Sequence, residues 1–147
     1  MGPETLFALC NGGVLPAWLL LALAPGWTWT QRIVHAVWIP LLLAIVYGVA
    51  IAKGLAGGPE GGSFLTLQGV MTLFTDPWAV CGGWVHYLVF DLFVGAWQVR
   101  DARRRGIPHL AVLPCLALTF LLGPLGLALY LLLRWARTGA IGLAEAG

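Results

Sequence analysis

Charge is what this chain lacks most. Only 10% of its 147 residues are Asp, Glu, Lys or Arg, against 60% hydrophobic residues, and the mean hydropathy is +0.88. Too little polar surface remains to clothe a water-soluble globule, so the composition predicts an integral membrane protein and excludes a separate soluble domain. Lysine is almost missing, with Lys53 alone, and the surplus of Ala, Gly, Leu and Arg suggests a GC-rich bacterial genome, hence a bacterial inner membrane. Cysteine is scarce as well. Cys10, Cys81 and Cys115 show no C-x-x-C spacing, which excludes a disulfide framework and reads as small buried hydrophobes. No internal repeat is evident, which argues against an inverted-repeat transporter within one chain. The net charge of +2 comes mainly from Arg100, Arg103, Arg104, Arg105, Arg134 and Arg137. Such a cluster reads as an anchor beside anionic lipid, not as a nucleic-acid surface.

What the chain does have is apolar length. Four runs, at about 5–24, 33–52, 78–99 and 110–133, are each long enough to cross roughly 30 Å of hydrocarbon. The expected fold class is all-α: a polytopic membrane protein built as one four-transmembrane-helix bundle over residues 1–147. The first run has no basic n-region or early cleavage site and is read as a mature helix, not a signal peptide. With four spans, Arg32, Arg100, Arg103, Arg104 and Arg105 lie on the side opposite Lys53, Arg134 and Arg137. That balance weakly favours cytoplasmic first and third loops, with both termini outside.

Asn11-Gly12-Gly13 and Pro16 interrupt the first run, Pro40 the second, and Pro114, Gly123, Pro124 and Gly126 the fourth. Kinked helices are expected, either lining a cavity or showing the ordinary Gly and Pro content of membrane helices. Residues 54–62 form a Gly-rich linker. Phe64, Leu67, Val70, Met71 and Phe74 then recur at helical intervals, as in a short interfacial helix that is either a lid over a lateral opening or a plain connector. Asp76 is a candidate N-cap for the third span. Most tryptophans fall near predicted ends, as an aromatic belt requires.

The run from Gly83 to Phe93 sets His86 and Asp91 inside this apolar setting. An Asp near a membrane helix centre costs roughly 2.5 to 3.5 kcal/mol, so it is a functional candidate by default. Counting at about 1.5 Å per residue, His86, Asp91, Asn11 and Thr119 all lie about 10 to 14 Å deep and could form a polar column. Trp84, Tyr87, Asp91, Gly95 and Gln98 share one face of the third helix. His86 and Asp91 are about 140° apart around it, poor for chelating one metal and better suited to opposite walls of one pocket. The plainer alternatives are that Asp91 satisfies a freed backbone group or bonds Thr119, and that His86 is an interhelical donor. No metal site or cofactor is predicted, although a haem held by His35 and His109 is conceivable.

Trp84-Val85-His86-Tyr87-Leu88-Val89-Phe90-Asp91-Leu92-Phe93, with Asp101 beyond it and the later Leu122-Gly123-Pro124-Leu125-Gly126, resembles the abscisic-acid-deficient-4-like membrane family from the first span to about Tyr130. Plastid members of that family are associated with neoxanthin synthesis, in which a violaxanthin epoxide end group becomes an allene. The resemblance implies a membrane-embedded isomerase acting on a carotenoid or, in a bacterium, another isoprenoid lipid. Asp91 would then be the catalytic acid and His86 the base, with Asn11, Trp84, Tyr87, Phe90 and Thr119 binding substrate. A non-catalytic pigment- or lipid-binding protein assisting a partner enzyme, and a small proton-coupled transporter using Asp91, stand as alternatives. One slim bundle would enclose a whole carotenoid poorly, which makes a homodimer reasonable.

Overall fold

The computed structural model describes residues 1–142. Among them the chain is helical, in the order α1 (Pro3–Gly13), α2 (Leu15–Leu23), α3 (Thr28–Ile33), α4 (Trp38–Ala56), α5 (Leu67–Leu73), α6 (Pro77–Arg104), α7 (His109–Leu122) and α8 (Pro124–Thr138). Three stretches are long and apolar enough to cross a membrane: Pro3–Leu23, Trp38–Ala56 and Pro77–Arg104. The first joins α1 to α2 through Val14, whose N–H still donates to the Cys10 carbonyl at 3.2 Å. Pro40 does not kink the second. The helix begins at Trp38, so Pro40 lies in its first turn, where the missing N–H has no partner to lose. The third opens on Asp76, whose Oδ1 accepts the N–H groups of Trp78 and Ala79 at 2.9 Å each, the cap its sequence position called for.

The fourth predicted span is corrected. α7 has 14 residues and α8 has 15, so each is about 21 to 22 Å long and short of a bilayer's hydrocarbon core. Between them Gly123 takes φ +41, a region that residues with a Cβ avoid, and Pro124 withholds the next N–H. The chain reverses there. A Cβ added to Gly126 would sit 2.0 Å from the Thr119 nitrogen, whereas seven residues of continuous helix would separate the two by about 10 Å. Gln98 of α6 clasps both arms, its Nε2 donating to Thr119 Oγ1 at 2.9 Å and to the Gly126 carbonyl at 3.3 Å. Hydropathy summed along the chain does not register direction, and so a hairpin of two apolar arms reads as one span.

The contacts divide into two compact units, Met1–Leu15 with Val37–Val89, and Pro16–Ala36 with Phe90–Gly147. In the first, Gly82 lets α6 meet α4 closely, since a Cβ there would lie 2.6 Å from Ile51 Cδ1. In the second, Asp101 ties α8 to the end of α6. Its Oδ2 accepts the Tyr130 hydroxyl at 2.7 Å and stands 3.1 Å from Arg134 Nε, while Oδ1 accepts Arg105 Nε at 2.9 Å. Arg134 and Tyr130 are both 0% exposed. The three cysteines are free and buried, as expected of packing residues.

Candidate functional site

In the first unit α4, α5 and α6 line a partly open pocket of about 270 Å³. Tyr47 and Ile51 of α4, Val70 and Leu73 of α5, and Gly83 and His86 of α6 form its walls. α5 is the short helix that the 64–74 pattern indicated. Thr66 starts it by accepting the Gly69 N–H on its side-chain oxygen at 3.1 Å, and Phe64 and Phe74 at its two ends also face the cavity. Sites that engulf a drug-sized molecule measure about 300 to 1,000 Å³. This one lies just below that range. Its proton-bearing side chains are His86 and Tyr47, whose ring centroids are 5.7 Å apart at an angle of 54°.

Three of the residues expected to bind substrate meet in the first unit. Trp84 Nε1 donates to Asn11 Oδ1 at 3.1 Å, and the indole contacts Phe7 and Tyr87 with centroids 5.5 and 5.3 Å apart. Asn11 therefore fixes the orientation of Trp84. His86, exposed on α6, lines the cavity. Asp91 does not. It is 8% exposed and belongs to the second unit, where a Cβ on Gly123 would lie 2.6 Å from its Oδ1. The carboxylate thus stands at the hairpin tip where α8 begins, and the open N–H groups and dipole of a helix start favour a negative group. His86 thus lines the cavity of the first unit, and Asp91 belongs to the second.

Thr119 is 0% exposed and belongs to Gln98, while its hydroxyl donates to the Cys115 carbonyl at 2.8 Å. Of the residues expected in a polar column, Asn11 is bonded to Trp84 within the first unit and Thr119 to Gln98 within the second. Phe90 is 55% exposed. Sequence reasoning passed over Tyr47 and the Asp101, Tyr130 and Arg134 group. Tyr47 could have been noticed as the one hydroxyl in the Leu41–Val49 run, and Tyr130 and Arg134 as a pair one turn apart.

His35 and His109, weighed as a haem pair, each commit one ring nitrogen to the protein: Arg100 Nη1 donates to His35 Nδ1 at 3.0 Å, and His109 Nε2 meets the Ala22 carbonyl at 2.9 Å. Among the described residues no group of three or more His, Cys, Asp or Glu could hold a metal ion. Burial, then the charges of Arg100 and Arg103, hold the His35 imidazole down at about 4. The unfolded chain therefore takes up a proton between pH 6.5 and 4 that the folded chain refuses, and folding stability falls as pH falls through that window. Melting curves should show the wild type losing more stability across this range than His35→Asn. Parallel pH profiles would refute the assignment.

Apolar helices of membrane-crossing length around an apolar pocket define the class: an all-helical protein suited to a membrane. The chain belongs to the ABA DEFICIENT 4-like family, whose model matches residues 5–130. That membership associates it with carotenoid and abscisic-acid metabolism. No curated protein and no solved structure matches the chain.

Proposed function

We propose that this protein admits the cyclic end group of a carotenoid or related isoprenoid lipid to the cavity under α5 and isomerises it there by non-redox acid/base chemistry. The observation that carries this reading is an apolar chamber with a histidine in its wall. The polyene tail stays outside, in lipid, so a second copy of the chain is not needed to enclose it. Turning an epoxide into an allene requires a proton delivered to oxygen and another taken from carbon, with no change in oxidation level. His86 takes the departing proton. Asp91, expected as the acid, is not in the lining, and Tyr47 is the other proton donor that is.

The test is the extract of protein purified from a carotenoid-producing host. Wild type should carry a polyene and its isomer. Val70→Trp, which fills the chamber, should retain about tenfold less, and His86→Ala should retain substrate without converting it. Identical extracts from all three proteins would sink the proposal. The absence of Asp91 from the lining favours a second reading, a pigment-binding protein without turnover; stoichiometric ligand with no new isomer in the wild type would select it.

The hairpin also supports a proposed orientation. Because α8 returns to Asp101 at the end of α6, Arg134 and Arg137 join Arg32, Arg100, Arg103, Arg104 and Arg105 on one side, with Lys53 at the far end of α4. All seven arginines against one lysine is a far stronger bias than four spans gave. On this reading the N-terminus is outside and the C-terminus inside, in place of both termini outside. A green fluorescent protein fused at the C-terminus should fluoresce and alkaline phosphatase fused there should be inactive. The opposite pair of results would return the C-terminus to the outside.

A further inference from the structure

In the first unit, between α4 and α6, no residue from Gly61 to Thr75 is charged, although Glu60 and Asp76 flank the stretch directly. Its large apolar side chains are turned outward: Leu65 is 92% exposed, Leu67 78%, Phe64 70% and Met71 57%. An exposed apolar patch of this kind marks a contact with something other than water. The stretch leaves the span Trp38–Ala56 and enters the span Pro77–Arg104, so lipid is already beside it. At that boundary Lys53 Nζ lies 4.3 Å from the Trp78 ring centroid, a cation and an indole together where a membrane interface is expected.

The hydroxyls of the same stretch are given to its own backbone. Ser63 Oγ accepts the Leu65 N–H at 3.0 Å and Thr66 Oγ1 the Gly69 N–H at 3.1 Å. Thr72 Oγ1 donates to the Gln68 carbonyl at 2.9 Å, and Thr75 Oγ1 to the Thr72 carbonyl at 2.8 Å. These are all the hydroxyls from Gly61 to Thr75, and Gln68 is the one polar side chain left over. The Ser63 N–H closes the loop by donating to the Gly69 carbonyl at 3.1 Å. That closure needs a glycine, since a Cβ on Gly69 would lie 2.7 Å from the Ser63 carbonyl oxygen. A loop in water can give its hydroxyls to solvent, whereas one in hydrocarbon must satisfy them internally.

We propose that residues 63–74 are seated in the hydrocarbon of the membrane leaflet beside the ends of α4 and α6, so that the pocket behind them opens to lipid and not to water. Leu55, Phe64 and Phe74 carry the second half, because each lines the pocket while being 55, 70 and 49% exposed. A molecule dissolved in the leaflet then reaches the lining without crossing the headgroups. The lining holds no Asp, Glu, Lys or Arg to meet a charged headgroup, so the ligand class is a neutral, lipid-dissolved molecule. The seating stands apart from the proposed isomerisation; only the passage of that reaction's substrate through this opening rests on it.

The test attaches a nitroxide label to Leu65→Cys, Leu67→Cys and Phe64→Cys in the full chain, reconstituted into phosphatidylcholine vesicles, with Glu60→Cys as the flanking reference. The native cysteines are buried, and the unmutated chain carried through labelling supplies the blank. Collisions with a water-soluble nickel chelate should be about tenfold fewer at positions 65 and 67 than at 60, because hydrocarbon excludes a polar solute. Collisions with oxygen should be more frequent there, and position 64, in the lining, should match them. Nickel collisions at 65 and 67 equal to those at 60 would put the stretch in water and overturn the proposal. Shielding from both reagents, with dipolar broadening between labels, would overturn it in favour of a second copy of the chain. Nickel reaching position 64 alone would overturn the opening to lipid. None of these readouts needs turnover, so the isomerisation stands or fails separately, on the pigment extracts.

Discussion

Asp101→Ala is expected to cost about 3 to 5 kcal/mol of folding stability, the penalty for breaking a buried ion pair and leaving one charge behind. The charge left behind is Arg134. It is 0% exposed, and Asp101 Oδ2 is the carboxylate 3.1 Å from its Nε. The same substitution removes the acceptor of the buried Tyr130 hydroxyl, a second loss of about 1 to 3 kcal/mol that overlaps with the first. Replacing the pair together, as Asp101→Leu with Arg134→Met, should recover most of the loss, because an apolar pair of similar volume avoids the desolvation cost of both charges. Detergent-driven unfolding of the two variants measures this directly. A single-variant loss below about 1 kcal/mol, or a double variant no better than the single, would show that the pair does not hold α8.

Gly126→Ala should be comparably severe, at about 3 kcal/mol or more, which is the upper end for overpacking. The added Cβ would lie 2.0 Å from the Thr119 nitrogen and 2.2 Å from Thr119 Oγ1. A side chain could swing aside, but a helix backbone cannot without parting α7 from α8 and breaking the Gln98 bond to the Gly126 carbonyl. Adding Thr119→Ala should therefore rescue little, since it removes the hydroxyl and leaves the nitrogen. The same unfolding assay decides. Wild-type stability in Gly126→Ala, or full rescue by Thr119→Ala, would mean that the arms are not in backbone contact at this level.

The elements legible in the sequence are those set by local pattern. Apolar length gave the stretches now seen as Pro3–Leu23, α4 and α6, Asp76 announced the start of α6, and the 64–74 periodicity gave α5. Gly123 and Pro124 were visible as breakers. What pattern could not convey is how far the chain turns at a break, because that depends on whether a residue such as Gln98 waits on another helix to clasp both arms. The spacing of His86 and Asp91 gives an angle around one helix, but such an angle does not say which neighbours occupy each side. Arg134 misled for a related reason. Near a predicted span end an arginine is expected to snorkel toward water, and only the return of α8 to Asp101 buries it.

The hairpin bears on how such a chain enters a membrane. Every positive charge driven through a bilayer against a potential that is negative inside costs about 2.3 kcal/mol per 100 mV. In the proposed orientation, two further helices follow α6 without any arginine having to be exported, since α7 enters and α8 comes back on the side of departure. The charged side chains on the exported side are then Glu4, Lys53, Glu60 and Asp76. The export load is net acidic, and everything strongly basic can be laid down from the ribosome side.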